Sequence, residues 1–132
     1  EGNAFISVKD EDKPEALRIA KSFLELGYEI IATRGTARYL NDHGLTATSI
    51  NKVKEGSPHI VESIECGRIQ FTINTVFGEQ SIKDSFSLRR ASLNQNLPYY
   101  TTIAGAFALL DALHALRKKD MTVSSLQDYG IT

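Results

Sequence analysis

The chain has 132 residues, is 42% hydrophobic and carries a formal net charge of -1, with a pI near 6.3. That length suits one compact domain, which takes roughly two-thirds of its unfolded surface out of water without staples. The near-neutral balance excludes a global pull toward nucleic acid or anionic lipid, so any anion recognition is local.

Cys66 is the single cysteine, which excludes an internal disulfide and suits a reducing, cytoplasmic setting. No apolar run approaches the roughly 20 residues of a membrane span, and Glu1-Gly2-Asn3 does not open a signal peptide. The chain begins almost inside its first apolar run. One domain over residues 1–132, cut from a longer chain, is therefore expected.

Ala4 to Val8 reads as a first strand, and Asp12-Lys13-Pro14-Glu15 as a helix start with proline in the first turn. Ala16, Leu17, Ala20, Phe23 and Leu24 share one face of that helix, and Gly27 stops it. Tyr28 to Ala32 is a second strand, too short and apolar for a helix; a second helix follows from about Gly35 to His43. Ala47 to Ile50 is a third strand, Pro58 opens a helix carrying Ile60, Val61 and Ile64, and Ile69 to Ile73 is a fourth strand. Asn74 to Gln80 reads as loop, and Ser81 to Gln95 as a helix with a ragged apolar stripe of Ile82, Phe86, Ala91 and Leu93. Pro98 to Thr102 is a fifth strand. The most apolar helix, Ile103 to Leu116, is closed by Arg117-Lys118-Lys119, and the tail from Met121 holds at most one short helical turn.

Strand and helix thus alternate five times with no hairpin signal. The expected fold is α/β: an open, mainly parallel five-stranded sheet with helices on both faces.

In such sheets ligands bind beyond the carboxyl ends of the strands. There the sequence delivers Lys13, Thr33-Arg34-Gly35-Thr36, Asn51-Lys52, Asn74-Thr75 and Thr101-Thr102. Two hydroxyls and free amides at a helix start, with a glycine permitting close approach, make a cradle for phosphate. Alone, the four residues from Thr33 read as a cap and an eased turn; Lys13 and Lys52 from neighbouring loops turn the reading toward phosphate. His43, His59 and His114 are scattered, Cys66 reads as packing, and Arg117-Lys118-Lys119 as complementing the end of its own helix. Neither the Thr33–Thr36 stretch nor the Asn74-Thr75 pair carries an aspartate or glutamate, so the site lacks an evident proton-transfer group and looks like a sensor.

The runs GNAFISV, ATRGTARYL, NKVKEGSPHIVESIECGRIQFTINT, IKDSFSLRRASL and PYYTTIAGAFALLDAL occur in one order and spacing over nearly the whole chain. In them the chain resembles the carboxyl-terminal regulatory domains of carbamoyl phosphate synthase large chains, which have the methylglyoxal-synthase-like three-layer fold. The resemblance implies a domain with no catalytic residues, no metal and no cofactor of its own, binding nucleotide monophosphate effectors of the UMP and IMP type. It places the effector phosphate on Lys13, Thr33, Gly35, Thr36 and Lys52, and the ribose or base side on Asn74 and Thr75. Tyr99 and Thr101 match positions that in some members meet ornithine at a domain junction.

The implied parent is a cytoplasmic ligase using ATP with Mg or Mn to make carbamoyl phosphate for pyrimidine and arginine synthesis. The implied partners are its remaining synthetase domains and, through them, a glutaminase small chain, with homo-oligomer contacts as a further option and neither nucleic acid nor membrane. Val76, Glu79 and Ser57 depart from residues common in the family, which leaves the effector and the sign of regulation open. The alternatives are a lyase of the methylglyoxal synthase type acting on a triose phosphate, whose aspartate has only Glu55 as a nearby substitute here, and a purely structural oligomerisation module.

Overall fold

The computed structural model describes residues 2–51, 59–75 and 79–130, with side chains described outside 79–85 and 119–130. The strands are β1 (Gly2–Ser7), β2 (Tyr28–Ala32), β3 (Ala47–Ser49), β4 (Ile69–Asn74) and β5 (Tyr99–Tyr100). The helices are α1 (Lys13–Glu25), α2 (Arg34–Asp42), α3 (Ile60–Glu65), α4 (Glu79–Asn94) and α5 (Ile103–Gly130), and a 3-10 turn, Asp10–Asp12, precedes α1. The strands form one sheet in the order β3-β2-β1-β4-β5, and every pair is parallel. The expected α/β architecture is the one observed.

Parallel neighbours need crossover helices, and the alternation of side chains along each strand sorts those helices onto two faces. Ala4, Ile6, Ile30, Ala32 and Ile73 point to the face covered by α1, α2 and α5, where Ile19, Phe23, Leu40 and Leu110 close the larger core. Phe5 and Ile69 belong to the smaller core on the other side, closed by Ile60 and Ile64 of α3 and Leu88 and Ala91 of α4. The chain builds outward from β1 to β3 and then crosses to β4 on the opposite side of β1. The strand order therefore reverses between β1 and β4. This reversal opens a crevice at their carboxyl ends.

Five expectations are corrected. First, the tail is not a short turn: α5 runs on to Gly130, because no glycine or proline interrupts the stretch after Lys119. Second, Arg117 consequently closes no helix of its own; its Nη1 donates to the Glu25 carbonyl in the last turn of α1 across 3.1 Å. Third, α4 packs through Leu88, Ala91 and Ser92, while Phe86 and Leu93 are each 65% exposed, so of the apolar stripe read from the sequence Ala91 meets the core and Phe86 and Leu93 do not; the side chain of Ile82 lies outside those described. Finally, β5 shrinks to two residues, and Cys66 is an exposed C-cap residue, not a packing one.

Local chemistry fixes the helix starts. At α3 the His59 ring accepts from the Glu62 amide and the Glu62 carboxylate accepts from the His59 amide, a reciprocal capping box. At α5 the Thr102 hydroxyl accepts from the Gly105 amide at 3.0 Å. Thr102→Ala should cost about 1 kcal/mol in urea unfolding, and Thr102→Ser should restore most of it; equal losses for both would mean that the methyl group, not the cap, carries the effect.

Candidate functional site

Register places a row of small polar side chains along the carboxyl edge. Ser7 pairs with Asn74 across β1 and β4, and Ile6 with Ala32 across β1 and β2, so Ser7, Asn74 and Thr33, the residue after β2, stand side by side at the ends of three adjacent strands. All three are buried, at 6%, 3% and 4% exposure. Burying hydroxyls and a carboxamide where apolar groups would fit is unfavourable unless something uses them.

Thr33 sits at the N-cap of α2 but its side chain makes no capping bond. Its hydroxyl lies 3.5 Å from that of Ser7 and 3.4 Å from that of Thr36. These are long for hydroxyl pairs, which prefer 2.7–2.8 Å. Hydroxyls so weakly committed to each other turn easily toward a stronger acceptor, and the amides in the first turn of a helix are donors without intrahelical partners.

Above this turn lies Lys13. Its amine is 3.5 Å from where a Cβ on Gly35 would stand, so the glycine lets the cation approach the start of α2. The segment carrying Lys13 is braced from both sides: the Val8 amide donates to the Thr36 hydroxyl and the Lys9 amide to the Thr75 hydroxyl, at 3.4 and 3.2 Å. Thr75 also donates its own amide to the Ser7 carbonyl and is only 1% exposed. On the opposite flank, the Arg34 guanidinium donates to Asn51 Oδ1 at 3.0 Å.

Lys13 bonds the exposed Asp10 carboxylate. That hydrogen bond, with the attraction of the ammonium charge, holds the Asp10 carboxyl below its ordinary value of 3.8. With the folded value below the unfolded one, its contribution to stability is present above about pH 3.8 and is lost as pH falls through the folded value. An NMR titration should find the Asp10 midpoint lowered, and Lys13→Met should return it toward 3.8; an unmoved midpoint in that variant would place the cause elsewhere.

Residues 15–101 match the MGS-like domain family. The chain belongs to that family. Within it the similarity runs to carbamoyl phosphate synthase large chains, and this is an MGS-like domain of that kind: the chain is 46% identical over 129 residues to the one from Rhizobium meliloti (strain 1021), covering 98% of this chain and 11% of that protein. It is 43% identical over 132 residues to the "Carbamoyl phosphate synthase large chain, C-terminal section" of Aquifex aeolicus (strain VF5), covering 96% of this chain and 25% of that one. The chain thus spans a small part of the relatives it matches.

Among solved structures, methylglyoxal synthase from Elizabethkingia anophelis NUHP1 superposes with a TM-score of 0.62 at 17% identity, over 82% of this chain and 75% of that one. ForH superposes with a TM-score of 0.64 at 18% identity, over 99% and 95%. At such identities the likeness establishes the MGS-like fold alone.

Within the MGS-like domain, the residues singled out from sequence fall into groups. Lys13, Thr33, Gly35 and Thr36 come together around the first turn of α2. Asn74 and Thr75 stand beside them across β1. Lys52 lies outside the described residues, as do Ser57 and Val76; its neighbour Asn51 is at the same rim through Arg34. Thr101 is exposed. Tyr99 is half-buried, its hydroxyl accepting from Asn74 Nδ2 at 3.1 Å. Ser7 was missed, because one small polar residue between Ile6 and Val8 reads as strand alternation until the register sets it between Thr33 and Asn74.

Proposed function

We propose that this domain binds a nucleoside monophosphate by its phosphate at the carboxyl edge of the sheet, and that the bound nucleotide regulates the ATP-using domains of a carbamoyl phosphate synthase. One observation carries the reading: the Lys13 amine, from the start of α1, and the Thr33 and Thr36 hydroxyls, from the start of α2, converge on an open helix start beside Gly35. A cation, weakly held hydroxyls and orphan amides suit a dianion. Lys52, next to Asn51, supplies a second cation, and Asn74 lies on the sugar side.

The role is binding, not catalysis. Among the described residues no aspartate or glutamate is buried, so the buried row offers donors and acceptors but no shielded general base. The parent would supply ATP with Mg or Mn, the remaining synthetase domains and a glutaminase partner, in a cytoplasmic pathway to pyrimidines and arginine. Regulation then requires that the nucleotide bind two states of the parent unequally, since equal affinity shifts nothing.

Calorimetric titration of the chain with UMP and IMP tests the reading. Saturable binding of at least one at millimolar concentration or below is expected; binding of neither would overturn it. Release of phosphate from dihydroxyacetone phosphate at an enzymatic rate would instead favour a lyase.

A further inference from the structure

The hydrogen bond between Asn74 and Tyr99 joins two residues to which the family resemblance gives different roles. Thr72 of β4 lies beside Tyr99 of β5. Asn74 is two residues further along β4 and projects to the same face, so the tyrosine ring leans along the sheet to bring its hydroxyl 3.1 Å from Asn74 Nδ2. The ring is itself held: the Arg89 guanidinium of α4 sits 5.5 Å from its centroid, within cation–π range. Arg89, Tyr99 and Asn74 thus form a chain of contacts from α4 through β5 to the buried polar row.

We infer that Tyr99 is a positioning residue for the sugar side of the proposed nucleotide site. A carboxamide has a donor edge and an acceptor edge, and half a turn about its last torsion exchanges them. In the structure Nδ2 is the edge bonded to the Tyr99 hydroxyl, and that bond holds the carboxamide in place. The ribose hydroxyls of a nucleoside monophosphate then meet a fixed pattern instead of a mixture. The phosphate does not depend on this choice, because Lys13, Gly35 and Thr36 lie on the far side of β1 from β5. Tyr99 therefore discriminates nucleotide from bare phosphate.

This rests on the nucleotide reading above, and the test separates the two. The chain and its Tyr99→Phe variant are titrated with UMP and, separately, with inorganic phosphate, following the backbone amides of Gly35 and Thr36 and the side-chain amide of Asn74 by NMR. In the variant the dissociation constant for UMP should rise about three- to tenfold, the range of one net hydrogen bond. That for inorganic phosphate should stay within about twofold, and the Asn74 side-chain signals should move in the unliganded protein. Arg89→Leu, which loosens the ring and keeps the hydroxyl, should shift the UMP constant in the same direction by less. If Tyr99→Phe weakens UMP and phosphate equally, or weakens neither while the unaltered chain binds both, the positioning role is overturned and the nucleotide site stands. If the unaltered chain binds neither, both fail.

Discussion

Lys13→Met is expected to weaken binding of a nucleoside monophosphate by about 10- to 100-fold, the equivalent of the 1.5–3 kcal/mol carried by a hydrogen bond to a charged group. The methionine keeps the length of the aliphatic stem, so packing over Gly35 is largely retained and the loss reports the ammonium. Two effects oppose each other at this position. The cation attracts the phosphate, but in the unliganded chain it is engaged by Asp10. The carboxylate is 92% exposed and well solvated, so it competes weakly, and the phosphate wins. Asp10→Asn should accordingly act in the opposite sense and tighten binding a few-fold, roughly two- to fivefold, the range of an exposed ion pair. Calorimetry on the three proteins decides it. A Lys13→Met variant binding as well as the unaltered chain would remove the amine from the site, leaving the hydroxyls and Lys52 to carry the anion.

The sheet was legible in the sequence because its strands are short apolar runs ended by polar residues. Tyr28 to Ala32 was bounded correctly for that reason. The convergence of Lys13 on α2 was legible only as a rule about strand ends; its cause, the bracing of the Val8-Lys9 segment by hydroxyls from α2 and from the end of β4, spans up to 66 residues of sequence separation and needs the register. Ser7 and the Asn74–Tyr99 bond escaped on the same ground, since a single polar residue in a strand carries no periodic signal. The extent of α5 was misread for a different reason. Three basic residues complement a helix end without stopping the helix, and Lys119 is followed by no glycine or proline before Gly130. In α4, a weak apolar pattern could not show which face meets the sheet. Leu88 and Ala91 meet it, and they do so against Phe5 and Ile69, which no local pattern identifies.

Phe23→Ala is expected to have the largest effect on stability, about 3–5 kcal/mol in urea unfolding, a large fraction of the 5–15 kcal/mol typical of a whole domain. The ring is fully buried near the end of α1 and touches two others: Tyr28 edge-on at 5.9 Å and Phe71 tilted at 5.6 Å, which in turn meet at 5.2 Å. This cluster ties α1 to the first residue of β2 and the middle of β4. Truncation leaves a cavity that neither remaining ring can fill without abandoning the other, so lost contacts add to lost transfer energy. The midpoint of thermal unfolding should fall by about 10–20 °C. Phe86→Ala makes the contrast, because that ring is 65% exposed and should cost only a few tenths of a kcal/mol. Phe23 is remote from Lys13, which occupies the opposite end of α1, so below its lowered midpoint the Phe23→Ala protein should bind nucleotide within about twofold of the unaltered chain, as expected for distant sites. Equal losses for Phe23→Ala and Phe86→Ala would place the core on the wrong side of the sheet; loss of binding in folded Phe23→Ala would mean that the orientation of α1, not its amino-terminal segment alone, sets the position of the Lys13 amine.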